Sequence, residues 1–123
     1  NILVKFPKNP QVDKKDIQNY HLEMIRAKDA TNEYVISIFK GKDFTDDDNY
    51  PYSLIKKGAV VQSSQDITVG NYSGKEYQLY FNGRLVTQRF IKYNRDLVNQ
   101  LSIYQDSDIG HQQTSLFLAS LVL

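Results

Sequence analysis

The chain contains no cysteine and no tryptophan, and its charges nearly cancel, with 15 basic residues against 14 acidic ones for a formal net charge of +1. Without cysteine there is no disulfide, no thiolate-bound zinc, no thiol nucleophile and no iron–sulfur ligation, while the redox compartment stays open. A net charge this small supplies no global field toward nucleic acid or an anionic membrane, so no nucleic-acid partner is expected. Long apolar runs are absent too: no stretch approaches the roughly 18 residues of a membrane-crossing helix.

Catalytic and phosphate-binding signatures are equally sparse. The two histidines, His21 and His111, are far apart and form no ligand-spaced pair, so both read as surface or strand-edge residues and no metal or cofactor is expected. Asp43, Asp46, Asp47 and Asp48 lack the alternation, the central glycine and the distal glutamate of a calcium loop, and read as a solvated loop ahead of a helix. There is no Gly-x-Ser-x-Gly elbow, and Gly70-Asn71-Tyr72-Ser73-Gly74 lacks the lysine and hydroxyl of a phosphate-binding loop. The chain is therefore expected not to be an enzyme.

What is present is a strong β signal. Asn82-Gly83 is the dipeptide a type I′ hairpin turn demands, because both central residues need positive φ. It predicts Phe81 opposite Arg84, Leu79 opposite Val86, Tyr77 opposite Gln88 and Lys75 opposite Phe90 on one face. Tyr80 with Leu85, Gln78 with Thr87 and Glu76 with Arg89 fall on the other. A second two-residue turn near Asn94-Arg95-Asp96 would place Phe90, Leu101 and Ile103 with Leu79 and Val86. That face is strongly apolar and expected to hold the main core. The other, carrying Tyr80, Leu85, Ile91, Val98 and Tyr104 among polar residues, is half apolar and expected to be incompletely covered.

Alternation predicts strands over Tyr20 to Lys28 and Glu33 to Lys40, separated by the turn cluster Asp29-Ala30-Thr31-Asn32, and a first strand Ile2 to Phe6 ended by Pro7 and Pro10. Pro51 starts a helix expected to reach about Gln62, and Ile67 to Val69 begins a strand broken at Gly70 and Gly74. A terminal helix is expected from Gln112 to about Ser120, passing into an extended Leu121-Val122-Leu123. The 123 residues make a single α+β domain, 1–123, with a mostly antiparallel sheet of about six or seven strands flanked by helices.

Four segments carry a family likeness: Phe6-Pro7-Lys8-Asn9-Pro10-Gln11-Val12, Tyr72-Ser73-Gly74-Lys75-Glu76, the Arg89 to Arg95 hairpin followed by Leu101-Ser102-Ile103, and Phe117-Leu118-Ala119-Ser120-Leu121. Their order resembles the PsbP-like fold, including bacterial domains with an FPxxP start and an FLxSF-type end. Val98-Asn99 stands where that family often has an aromatic. The resemblance implies a central antiparallel sheet between helices in an exported or lumenal protein, often lipid-anchored, that binds or assembles larger complexes without catalysis. An opening at Asn1 without an initiator methionine fits a mature form from which an export signal has been removed, so an extracytoplasmic location and a membrane tether outside this chain are expected.

Nine tyrosines suggest a partner surface, since Tyr and Arg are enriched at interfaces. Tyr80, Leu85, Thr87 and Arg89 form the candidate protein-binding patch; the plainer alternative is that a flanking helix covers them. Glu76 and Arg89 are expected to form an exposed cross-strand ion pair. If that patch is only structural, the interaction is to be sought in the Asp43 to Tyr52 loop. The competing functional class is a small-molecule or lipid carrier, or an enzyme, with a sheet-enclosed pocket, which a deep apolar cavity would signal.

Overall fold

The computed structural model describes residues 2–6, 11–17, 20–29, 31–41, 44–45 and 48–123. Seven strands form one antiparallel sheet: β1 Gln11–Ile17, β2 Tyr20–Lys28, β3 Asn32–Lys40, β4 Val60–Val69, β5 Tyr72–Phe81, β6 Arg84–Tyr93 and β7 Asp96–Tyr104. Helix α1 spans Tyr52–Lys56 and α2 spans Asp108–Ala119. The spatial order β1-β2-β3-β7-β6-β5-β4 joins two meanders through the β3–β7 pair. The fold is α+β, with far more sheet than helix.

The Asn82-Gly83 turn has φ of 50° and 77°, and the β5–β6 register pairs Leu79 with Val86, Tyr80 with Leu85 and Glu76 with Arg89, as the dipeptide predicts. The second hairpin turns at Asn94-Arg95, with Asn94 at φ 57°, and pairs Phe90 with Asn99, which puts Leu101 and Ile103 on the Leu79 face. β2 matches its predicted span, and β3 opens one residue earlier than predicted. Between them Asp29 accepts from the backbone N–H of Thr31 and Asn32 at 2.9 and 2.8 Å; Ala30 of that turn lies outside the described residues.

Four expectations are corrected. Ile2 to Phe6 is not a sheet strand: Leu3 makes one bridge to Val122, and Ile2, Val4 and Phe6 pack onto the sheet. The sheet instead begins with β1, whose four charged residues in seven hide any apolar alternation. The helix after Pro51 stops at Lys56, because Gly58 adopts φ 107° and Ala59 N–H folds back onto the Leu54 carbonyl at 2.9 Å. Val60 and Val61 then open β4, so Ile67 to Val69 ends a strand rather than starting one. The last helix starts four residues before the predicted point, at Asp108, where the Ser107 hydroxyl accepts from Gly110 N–H at 3.0 Å as an N-cap.

Chain path decides the layers. From central β3 the chain must reach edge strand β4, and the described residues between them lie on the first face of the sheet, where Phe44 and Ala59 pack with Tyr77, Leu79, Val86, Phe90 and Leu97. The β2–β3 side of this face stays open, leaving Leu22, Met24, Val35, Leu101 and Ile103 half-buried. After β7, α2 crosses the second face, where Tyr34, Ile36, Ile91 and Val98 are fully buried. The half-apolar face is buried at its β3–β7 centre and incompletely covered, as expected, toward β4, where Val60 and Tyr80 are 61% and 48% exposed. Its polar residues are buried because α2 answers many of them: Gln100 Nε2 donates to the Phe117 carbonyl at 2.9 Å, Asn32 Nδ2 to Thr114 Oγ1 at 3.2 Å, and Ser102 bonds Thr114 at 2.8 Å.

Candidate binding pocket

The segment ahead of β4 is pinned to the sheet by side chains whose positions follow from the β5–β6 register. Tyr77 points to the first face and its buried hydroxyl donates to the Asn49 carbonyl at 2.8 Å. Burial pushes the Tyr77 phenol above its usual range; the Lys75 charge opposes the shift, while Tyr50, Tyr52 and Asp66 add to it. Tyr50 packs edge-on against Tyr77 at 5.4 Å and in a tilted arrangement against Tyr52 at 4.9 Å. Just upstream, Asp48 Oδ2 accepts from the Thr45 backbone N–H at 2.8 Å.

Between this segment and the sheet lies a cavity of about 370 Å³, with walls that include Phe39, Phe44, Tyr50, Pro51, Tyr52, Phe90 and Leu97. Phe39 meets Phe44 edge-on at 5.9 Å. Its polar members are Asp48, Ser53, Gln88 and Asn99, and Gln88 Nε2 donates to Asn99 Oδ1 at 3.2 Å. Gln88 Oε1 is buried with no partner among the described residues. Tyr50 and Tyr52 are 39% and 62% exposed, so the aromatic wall continues to the molecular surface.

The four predicted partner residues lie on the opposite face. Tyr80 is 48% exposed and sits beside Val60, itself 61% exposed on edge strand β4, with half-buried Leu85 on its other side. Thr87 is only 3% exposed, and its hydroxyl bonds Gln78 and Tyr104 at 2.8 and 2.9 Å. Arg89 pairs with Glu76 at 3.2 Å as the register predicts, but the pair is largely buried, with 20% and 18% of the two side chains exposed. Its Nη1 also donates to the Leu118 carbonyl at 3.3 Å. Tyr80 with Leu85 is therefore the solvent-facing part of that patch.

The remaining candidates stand apart. His111 Nε2 lies 2.8 Å from Asp106 at the start of α2, while His21 is a half-buried β2 residue. Asp43, Asp46 and Asp47 lie outside the described residues. Among the described residues no three His, Cys, Asp or Glu side chains cluster to hold a metal, and no helix is long and apolar enough to cross a membrane. The aromatic cavity has no contiguous sequence signature, because its walls come from β3, Phe44, residues 48–53, β6 and β7. Tyr50-Pro51-Tyr52 beside a run of aspartates was the local signal for it.

No protein-family model matches this chain, no curated protein is similar to it, and no solved structure matches it.

Proposed function

We propose that this chain is a non-catalytic protein-interaction or assembly module that acts outside the cytoplasm. The observation that carries the reading is the aromatic surface over residues 48–53, where exposed Tyr50 and Tyr52 border a cavity on the first face of the sheet. Large rings with a polar tip are the residues on which partner surfaces concentrate binding energy, because they desolvate much apolar area at little entropic cost. The location outside the cytoplasm rests on the likeness to PsbP-like domains, as does a tether beyond this chain. The patch at Tyr80 and Leu85 is a second contact surface on the opposite face.

A partner captured by cross-linking in the native organism, then purified and titrated against the chain, tests this reading. Tyr50→Ala with Tyr52→Ala is expected to weaken a purified partner at least about tenfold, as loss of hot-spot tyrosines does, with the fold unchanged by circular dichroism. Tyr80→Ala reports on the opposite face. Undiminished binding by all three substitutions together, or turnover of a small molecule by the purified chain, would overturn it.

The second reading is a small-molecule or lipid carrier or enzyme. Its support is the cavity volume of about 370 Å³, within the range that encloses small ligands. Thermal-shift screening against metabolites and lipids separates it from the first.

A further inference from the structure

The cavity under Tyr50 and Tyr52 combines aromatic walls with the carboxylate of Asp48. Phe39, Phe44, Tyr50, Tyr52 and Phe90 line it, and among the described residues Asp48 is its one carboxylate and no lining side chain is cationic. Asp48 is half-buried, and its Oδ2 accepts from the backbone and hydroxyl of Thr45 at 2.8 and 3.4 Å. Those bonds orient the carboxylate without neutralising it, and it makes no ion pair among the described residues. Asp66, Glu33 and Glu76, by comparison, each have a Lys or Arg within 3.5 Å.

We infer that this cavity is a cation-recognition pocket that takes the guanidinium of an arginine side chain from a partner protein. The inference rests on the protein-interaction reading above and names the chemistry of its partner. Aromatic rings attract a cation through the negative potential of their faces, and the attraction grows when water is partly excluded. A carboxylate at the same site supplies the counter-charge, and its Oδ1 is left to accept beside the Oδ2 that Thr45 holds. A planar guanidinium satisfies both at once, stacking on rings while its N–H fork meets the carboxylate; an ammonium is more strongly hydrated and cannot stack. Asn99, half-exposed in the same wall and accepting from Gln88 through Oδ1, has its Nδ2 group left to bind a backbone carbonyl that accompanies the side chain.

The test is a titration of the isotopically labelled chain with N-acetyl-arginine N-methylamide, followed by amide NMR. Its neutral isostere, the N-acetyl-citrulline N-methylamide, runs in parallel. The arginine probe is expected to shift the backbone signals of Asp48, Tyr52 and Ser53 and the side-chain amide of Asn99 at millimolar concentration, with the citrulline probe about tenfold weaker. Asp48→Asn keeps an oxygen to accept from the Thr45 N–H and should erase most of the difference between the probes. Adding salt should weaken only the arginine probe. Equal affinity for both probes, or no response of these signals up to about 50 mM, overturns the inference, since even a weak specific site falls within that range. That failure would leave the protein-interaction reading standing, because a purified partner and the Tyr50 and Tyr52 substitutions decide it separately.

Discussion

Arg89 Nη1 donates to the main-chain oxygen of Leu118 at 3.3 Å, so a strand residue on the second face holds the last turn of α2. The same guanidinium meets Glu76 at 3.2 Å. One side chain therefore ties the β5–β6 ladder to the covering helix, and a cation at a helix C-terminus also complements the helix dipole. Because the group is largely buried, removing it strands a carboxylate and a carbonyl away from water.

Arg89→Ala is accordingly expected to destabilise the fold by about 1–3 kcal/mol, the range for leaving a buried charged partner unsatisfied. Urea unfolding measures it. Glu76→Gln should cost less, since an amide oxygen still accepts from Arg89. If Arg89→Ala leaves the unfolding midpoint unchanged, the residue does not anchor α2.

Stability should fall at both pH extremes through one pair. Burial opposes the Asp29 charge, but hydrogen bonds from Thr31, Asn32 and Tyr34 outweigh it and hold the carboxyl below its ordinary value of 3.8. A depressed carboxyl stabilises the fold above the unfolded-state pKa and loses that contribution as pH drops through the folded value, so the loss begins below pH 3.8. Tyr34, whose hydroxyl donates to Asp29 at 3.1 Å, is shifted upward by burial, by the Asp29 charge and by that bond. Its contribution is complete below pH 10.0 and declines as pH rises toward the folded-state value. Tyr77 is displaced in the same direction and adds to the alkaline loss. Denaturation followed from pH 2 to pH 12 should show both limbs, with Asp29→Asn flattening the acid one and Tyr34→Phe reducing the alkaline one.

Tyr77→Phe removes the 2.8 Å bond to the Asn49 carbonyl while keeping the ring. A loss of about 1–2 kcal/mol is expected, the cost of one buried hydrogen bond and the carbonyl it leaves unpaired. Amide exchange should quicken over residues 48–56 before it does in β6, since the bond pins that segment to the sheet. Uniform acceleration across the chain would mean that Tyr77 supports only global stability.

Local chemistry carried the strands around the turns. Asn82 and Gly83 admit one tight turn geometry, and a two-residue period then assigns every side chain from Lys75 to Ile103 to a face. The same reasoning failed over residues 60–69, where the register slips between Val61 and Ser63. A bulge shifts the parity of apolar positions, so β4 shows no clean alternation and its valines looked like the end of a helix. Edge strand β1 was hidden for another reason: a strand bordered by solvent on one side is free to carry charges that erase the pattern.

By itself the sequence determined what short-range sterics and alternation can settle: the absence of thiol chemistry, the two hairpin registers, the β2 and β3 strands and the ion pair of Glu76 with Arg89. Only the tertiary structure decided which layer covers which face. That choice follows from the pairing of β3 with β7, two strands distant in the chain, which puts residues 48–59 on one face and α2 on the other. Alternation fixes sides only relative to one another. The burial of Thr87, the fastening of α2 by Arg89 and the aromatic cavity beside Asp48 all arise where segments remote in sequence meet.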